Sequence, residues 1–272
     1  MGIHDIKTNK GTRDAVLITG ASSGIGLELA RIFAKHKHDL VLVARREKRL
    51  REVADTLIRQ YAVSVQVIPA DLSASEAPQR IHKEVLALGL DIGILVNNAG
   101  FGNMGRFDQI DPARELALVQ VNVAAMLHLS HLFIGDFMGR GGGRILNVSS
   151  VTAFSPGPLM SNYYASKAYG VSLSLGLREE LKKLGICVCV LCPGVTLTEF
   201  FDSAEMSNSG LSSGRLSGVM TAQQVAEKAY QGLMANKALI VPGFKNKCLV
   251  FLSRIFSRRL AGKLSKQLNK SR

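Results

Sequence analysis

The sequence predicts an α/β fold: a doubly wound parallel sheet of about seven strands with helices on both faces. Three observations carry this expectation. Short runs rich in Val, Ile and Leu recur from residue 15 to about residue 241. Each is continuously apolar rather than alternating, as strands covered on both faces should be. Helix-length amphipathic segments separate them, and such alternation calls for parallel strands joined by right-handed crossovers.

In chain order the strands are Ala15–Thr19, Leu40–Ala44, Val65–Pro69, Ile94–Asn97, Arg144–Ser149, Ile186–Leu191 and Leu239–Val241. The first helix is read over Ile25–Lys35, where Ile25, Leu29 and Phe33 recur every four residues and share one face. A long Ser- and Gly-rich segment, Thr196–Met220, breaks the pattern and reads as a lid or binding loop. Thr221 then reads as the N-cap of a helix beginning at Ala222. With no internal repeat or Pro-rich linker, residues 1–243 read as one catalytic domain. Its cofactor half covers about 14–150, its catalytic and substrate half about 150–243, and residues 244–272 form a tail.

The chain of 272 residues is 47% hydrophobic and 20% charged, enough to bury a full core and too apolar for global disorder. No run approaches the ~18 apolar residues of a spanning helix, so an integral membrane protein is not expected. The opening stretch lacks the apolar core of a secretory signal. Four cysteines, Cys187, Cys189, Cys192 and Cys248, are too few for a disulfide framework, and the expected compartment is the cytoplasm. The net charge is +13, of which residues 244–272 contribute nine through Lys and Arg with no acid. The body is only mildly basic, which argues against nucleic-acid binding across it.

Chemistry concentrates in a few places. Thr19-Gly20-Ala21-Ser22-Ser23-Gly24-Ile25-Gly26 follows the first strand and opens the first helix. Glycines there permit a tight turn, and the helix start offers free N–H groups to a pyrophosphate, as in Rossmann-like folds. Further on come Ala70-Asp71-Leu72, Asn97-Asn98-Ala99-Gly100, Asn122, Ser150, Tyr163 with Lys167, and Pro193-Gly194. In this order and spacing they resemble the short-chain dehydrogenase/reductase family, its subgroup of about 250 residues. The resemblance covers roughly residues 14–243. The phrasing around the motifs is similar to NADP-preferring bacterial members.

The residues read alone agree. Tyr163 and Lys167 are four apart, so a helix places them on one face. A phenol ionises near ~10 and needs a cation to lower it, which Lys167 can supply. Ser150 ends a strand at the carboxyl edge, where open α/β sheets bind ligands. The resemblance implies that Ser150 holds the substrate oxygen, Tyr163 gives it a proton, and Lys167 tunes Tyr163 and holds the nicotinamide ribose. It implies that Asn122 anchors a proton-relaying water. Tyr164 is read as packing and Ser149 as a strand-end hydrogen-bonder.

At the end of the second strand, Val43-Ala44-Arg45-Arg46 carries no carboxylate before Glu47. Two guanidinium groups suit a phosphate, so the cofactor is read as NADP. Ser22 adds a hydroxyl there. By resemblance the cofactor site comprises Gly20, Ser22, Ser23, Gly24, Ile25, Gly26, Arg45, Arg46, Asp71, Leu72, Asn98, Ala99 and Gly100. It continues through Asn122, Tyr163, Lys167, Pro193, Gly194, Thr196 and Thr198. Asp71 would meet the adenine amino group and Asn98 the adenosine side.

No metal site is expected: the cysteine cluster lies in an apolar strand, and His128 and His131 have no nearby carboxylate or thiol. The tail places Leu249, Leu252, Phe256, Leu260, Leu264 and Leu268 among basic residues, an amphipathic helix broken near Ser257 or Gly262. Its apolar face is expected to dock on the body, near the cleft or a neighbouring subunit, with its cations in water; peripheral membrane contact is the alternative. Phe200, Phe201, Met206, Leu211 and Met220 suggest an apolar substrate pocket. The functional expectation is an NADP-dependent oxidoreductase of a carbonyl or alcohol, assembled as a homodimer or homotetramer. A non-catalytic NADP-binding sensor and a membrane-surface protein are the alternatives.

Overall fold

Residues 14–197, 219–253, 255 and 257–269 are described by a computed structural model. Nine strands and nine helices follow in chain order among them. The main sheet takes β1 (Ala15–Thr19), β2 (Leu40–Ala44), β3 (Val65–Pro69), β4 (Ile92–Asn97), β5 (Gly143–Val148), β6 (Ile186–Leu191) and β9 (Leu239–Ile240). Its order is β3-β2-β1-β4-β5-β6-β9, and all the pairs are parallel. The short pair β7 (Thr196–Leu197) and β8 (Met220–Thr221) stands apart from it. The expected strands are therefore present, with β4 starting two residues earlier and β5 ending one residue before Ser149. Ser149 leaves the strand ladder but still donates its N–H to Leu191.

Helices cover both faces. On one lie α1 (Gly24–Lys35), α2 (Glu47–Tyr61) and α7 (Ala222–Met234). Successive β1 residues alternate between the layers: Val16 and Ile18 join Leu29, Phe33, Leu50 and Val225. Ala15 and Leu17 instead pack with Ile81, Phe133 and Phe137 on the opposite face. Each such Leu, Ile or Phe contributes about 1.5–3 kcal/mol by leaving water. The second face carries α3 (Ala77–Ala87), α5 (Met126–Arg140) and α6 (Ser161–Leu181). Thr221 caps α7 in a reciprocal capping box with Gln224.

Helix α4 (Pro112–Val119) runs into α5 through a π-helical turn, Gln120–Ala125. By length and composition the whole Pro112–Arg140 helix is long and apolar enough to cross a membrane, although its sequence holds no unbroken apolar run of that length. That window averages across His128, Ser130 and His131 instead of forming one apolar run. Here its Leu129, Phe133 and Phe137 are buried against the sheet.

The tail forms two helices, α8 (Phe244–Ser253) and α9 (Arg258–Asn269). The break falls by Ser257, and Gly262 stays inside α9. Docking departs from expectation, because α9 turns Gly262, Ser265 and Asn269 inward. Gly262 faces Pro156, Ser265 meets Ser155, and the Asn269 amide donates to Pro158 O at 3.0 Å. Leu249, Leu252 and Leu264 remain between 43% and 50% exposed, and the side chains of Phe256, Leu260 and Leu268 lie outside the described residues. Small and polar side chains let α9 lie close over a cleft lined with backbone carbonyls and hydroxyls, which a leucine stripe would leave unsatisfied.

Candidate active site

The sheet order reverses at β1, whose neighbours β2 and β4 lead the chain in opposite directions. A crevice opens there beyond the carboxyl ends of the strands. It is a cavity of about 760 Å³, and it runs from Arg45 and Arg46 past Tyr163 to the tail helices.

One wall is the turn between β1 and α1. Gly20 sits at φ +67°, a left-handed conformation that favours glycine. A Cβ on Gly26 would collide with Gly20 O and the Asn98 amide. The Asn98 amide donates to Thr19 O at 2.9 Å and to Gly20 O at 3.3 Å, while Thr19 Oγ1 accepts from the N–H groups of Asn98 and Ala99. The glycine turn and the end of β4 are thus locked to each other. Asn98 lines the cavity, and its side chain also braces the turn. Ser23 is the extended N-cap of α1 and makes no side-chain capping bond, so the helix start faces the cavity. Arg46 reaches across to Ser22 Oγ at 3.2 Å. Burial works to raise the Asp71 carboxyl, but two bonds from Ser73 and the charge of Arg45 outweigh it and hold it low.

The reacting end is built by β5 and α6. Helix α6 turns Tyr163 and Lys167 onto one face, both at most 8% exposed. Ser150 follows β5, accepts from Thr152 N at 3.2 Å and hydrogen-bonds with the Tyr163 hydroxyl. Lys167 Nζ donates to Val148 O at 3.1 Å and stands 5.6 Å from the Tyr163 ring centre. Burial pushes the phenol of Tyr163 up, against the Ser150 bond, and pushes the Lys167 ammonium down to about 8. The expected lowering of Tyr163 by Lys167 is not the dominant effect: desolvation is, and it keeps the phenol protonated. Ser149 Oγ donates to Lys167 O, so it steadies the helix as a strand-end residue should.

Asn122 stands behind the cavity wall. It does not line the cavity. Its amide is paired with both backbone groups of Phe101 and donates to Ser166 Oγ. A Cβ on Gly100 would touch both Asn122 Oδ1 and Lys167 Nζ, at 3.0 and 3.2 Å. Asn122 therefore lies beside Lys167 within a π turn, a distortion common at functional sites.

Every other catalytic or cofactor candidate lines the cavity, apart from Gly26, which backs the turn, and Thr198, which lies outside the described residues with Phe200, Phe201, Met206 and Leu211. Met220, expected in the substrate pocket, packs against the core instead, and Val219 beside it lines the cavity. Thr196 donates to Gly194 O, and Gly194 has no room for a Cβ beside Asn246. The tail borders the cleft, as expected, through residues the motifs did not single out as lining: Lys245, Asn246, Leu249, Ser265 and Asn269. Tyr164, read as packing, is buried and donates to Asn269 Oδ1 at 3.3 Å. Asn269 and Ser265 interrupt the apolar tail pattern, the one available signal. A second missed feature is Glu115, buried on α4, whose carboxylate accepts from the amides of Asn103 and Asn162 and whose backbone carbonyl accepts from Asn162, beside Tyr163. Among the described residues no group of three or more His, Cys, Asp or Glu could hold a metal ion. Burial raises Cys189 to about 11 and Cys192 to about 12, so both are thiols at neutral pH.

A glycine turn at a helix start, a switch-point crevice and a buried Ser, Tyr and Lys define a dinucleotide-binding oxidoreductase of the α/β class. The chain belongs to the short-chain dehydrogenase family, whose model matches residues 14–208. It is 30% identical over 182 residues to the 7beta-hydroxysteroid dehydrogenase of Clostridium sardiniense, covering 67% of this chain and 69% of that one. A short-chain dehydrogenase from Sphingobium yanoikuyae in complex with NADPH superposes with TM-score 0.78 at 36% identity, over 84% of this chain and 87% of that chain. The bulky-bulky ketone specific alcohol dehydrogenase of Comamonas testosteroni superposes with TM-score 0.76 at 31% identity, over 90% and 93%.

Proposed function

We propose that the protein is an NADP-dependent reductase, or alcohol dehydrogenase in reverse, of a bulky and largely apolar carbonyl compound. The observation that carries the cofactor reading is Arg46 bonded to Ser22 beside Arg45, at the end of β2, with no carboxylate in place. The residues fit the dinucleotide: neither Gly20 nor Gly26 has room for a Cβ, and the α1 N-terminus opens on the cavity. Gly20, Ser22, Ser23, Gly24 and Ile25 would hold the pyrophosphate side, Arg45 and Arg46 the phosphate on the ribose, and Lys167 the nicotinamide ribose. When bound, the nicotinamide supplies or accepts the hydride.

The protein's own contribution is to place and protonate the substrate oxygen. Ser150 hydrogen-bonds that oxygen, and the protonated Tyr163 hydroxyl donates to it in reduction. Lys167 stands close enough to Tyr163 to favour the tyrosinate left behind. Asn122 ties the Phe101 loop segment beside Lys167 and, in this reading, would anchor the proton-relaying water there. An apolar substrate is supported by Phe101, Ala117, Val121, Met160, Val195 and Leu249 in the cavity wall, and by relatives named for steroids and bulky ketones. Assembly as a homodimer or homotetramer belongs to the same proposal, supported by Leu116, Leu127 and Met138 standing exposed along the Pro112–Arg140 helix. The sensor reading gains no support from these relatives.

The test is a panel of hydroxysteroid-type and bulky aryl ketones offered with NADPH and with NADH, with loss of nicotinamide absorbance as the readout. Turnover with NADPH on bulky ketones is the expected result. Equal affinity for NADH and NADPH in calorimetry would remove the cofactor assignment.

A further inference from the structure

The tail raises a question that the reductase reading leaves unanswered. Helix α8 buries Val250 at 5% exposure and turns Asn246 toward the cleft. Its opposite side carries Phe244, Cys248, Phe251 and Leu252, spaced as one helical stripe. Phe244 is 80% exposed, Phe251 63% and Leu252 43%, and Ile255 just beyond is 64% exposed. Lys247 flanks this stripe and is exposed too. Helix α9 carries Arg259, Lys263 and Lys266 along its exposed side, again one stripe, beside the half-exposed Leu264. Residues 244–272 hold no Asp or Glu at all.

An outward apolar ridge on one tail helix, followed in the chain by a helix with an acid-free basic stripe, leaves hydrocarbon in water that the cations alone do not cover. It suits a surface that offers both hydrocarbon and negative charge. A second copy of the chain would bring the same excess of cations against this one and gain nothing from charge. An acidic partner protein would match the cations but offers no general reason for four bulky side chains at one ridge. We infer that α8 and α9 form an interfacial surface for an anionic lipid bilayer, with Phe244, Phe251, Leu252 and Ile255 entering the headgroup boundary and Lys247, Arg259, Lys263 and Lys266 meeting lipid phosphates and carboxylates. Leu249 is both 47% exposed and part of the cleft wall, so the bilayer-facing side is continuous with the cleft. The contact is peripheral; it needs no spanning segment and holds whatever the substrate is.

The experiment is co-sedimentation of the full chain with vesicles of pure phosphatidylcholine and of phosphatidylcholine containing phosphatidylserine. Binding is expected on the phosphatidylserine vesicles in low salt, falling about tenfold or more as salt rises and the cations are screened. The double variant Phe244→Ser with Phe251→Ser should lose most of that binding while its melting temperature holds, since both side chains already face water. The triple variant Arg259→Gln, Lys263→Gln and Lys266→Gln should lose the salt dependence. Absence of binding to phosphatidylserine vesicles in low salt would overturn the proposal, as would equal binding by the double Phe variant. Light scattering on the same samples reads the competing occupant. A wild-type oligomer that the Phe substitutions dissociate, without vesicle binding, would assign the ridge to a second copy and overturn the lipid proposal.

Discussion

The two walls of the cleft are built on opposite principles. On the wall made by the β1–α1 turn, the end of β4 and α6, nearly every polar group is tied to backbone: Thr19 to the end of β4, Asn98 to the turn, Asn122 behind them to Phe101, Ser149 and Lys167 to neighbouring carbonyls. Beneath it Asn97, Ser130, Asn147 and Ser174 form a buried chain of side-chain hydrogen bonds between strands and helices. Among the described residues the tail wall is held by polar contacts of Asn269 with Tyr164 and Pro158 and of Ser265 with Ser155, and it exposes Phe244, Phe251, Leu252 and Leu264. The difference separates two jobs. Geometry that must be held for proton and hydride transfer is fixed in the sheet, while the surface that meets the variable part of a substrate hangs on an easily altered appendage.

The sharpest way to break this contrast is at Tyr163. Tyr163→Phe keeps the ring and removes the transferable proton, so turnover should fall by about 10²-fold or more with cofactor binding nearly intact. Tyr164→Phe, one residue along and bonded to the tail, should keep most activity. Steady-state kinetics with calorimetric cofactor titration reads both. Next comes Arg45→Ala, which under the proposed NADP reading removes a charged phosphate contact. NADPH should bind roughly 10- to 150-fold more weakly, from about 1.5–3 kcal/mol, and NADH almost unchanged.

A third prediction concerns what the rigid wall costs. Lys167 is lowered from 10.5 to about 8 by burial, so its charge is unfavourable in the fold. Between those values the unfolded chain binds the extra proton, and stability should rise with pH across that window. Lys167→Met should therefore raise Tm at pH 7 by a few degrees, on the order of 1 kcal/mol or more, while turnover collapses. Its advantage over the wild type should narrow from pH 8 towards 10.5, as differential scanning calorimetry would show. The smallest effect is expected at the tail: Asn269→Ala loses two neutral hydrogen bonds, about 1–2 kcal/mol, and should shift KM several-fold with kcat little changed.

The fold was legible because strands buried on both faces spell themselves as apolar runs, and all seven main-sheet strands lie where those runs do. The rigid wall was legible for a related reason: Gly20, Gly26, Tyr163 and Lys167 act through spacing and turn geometry, which a linear sequence preserves. The tail was not. Its leucine period suggests a docked apolar face, whereas the cleft selects Gly262, Ser265 and Asn269, whose role depends on which loop α9 lies across. Asn122 falls between the two cases, since its position in the motif is visible but the π turn that sets it behind the cavity is not. The shift of Tyr163 was also hidden, because desolvation by surrounding residues outweighs the single charged neighbour that spacing reveals.

The division between the walls is tested most directly by kcat/KM for a panel of ketones of increasing bulk, measured with NADPH on Tyr163→Phe and on Asn269→Ala. Tyr163→Phe should lower every ketone by a similar large factor, leaving their order intact, because it removes a step common to all. Asn269→Ala should change the order among ketones while sparing the smallest. Reordering by Tyr163→Phe, or a uniform loss in Asn269→Ala, would contradict the account.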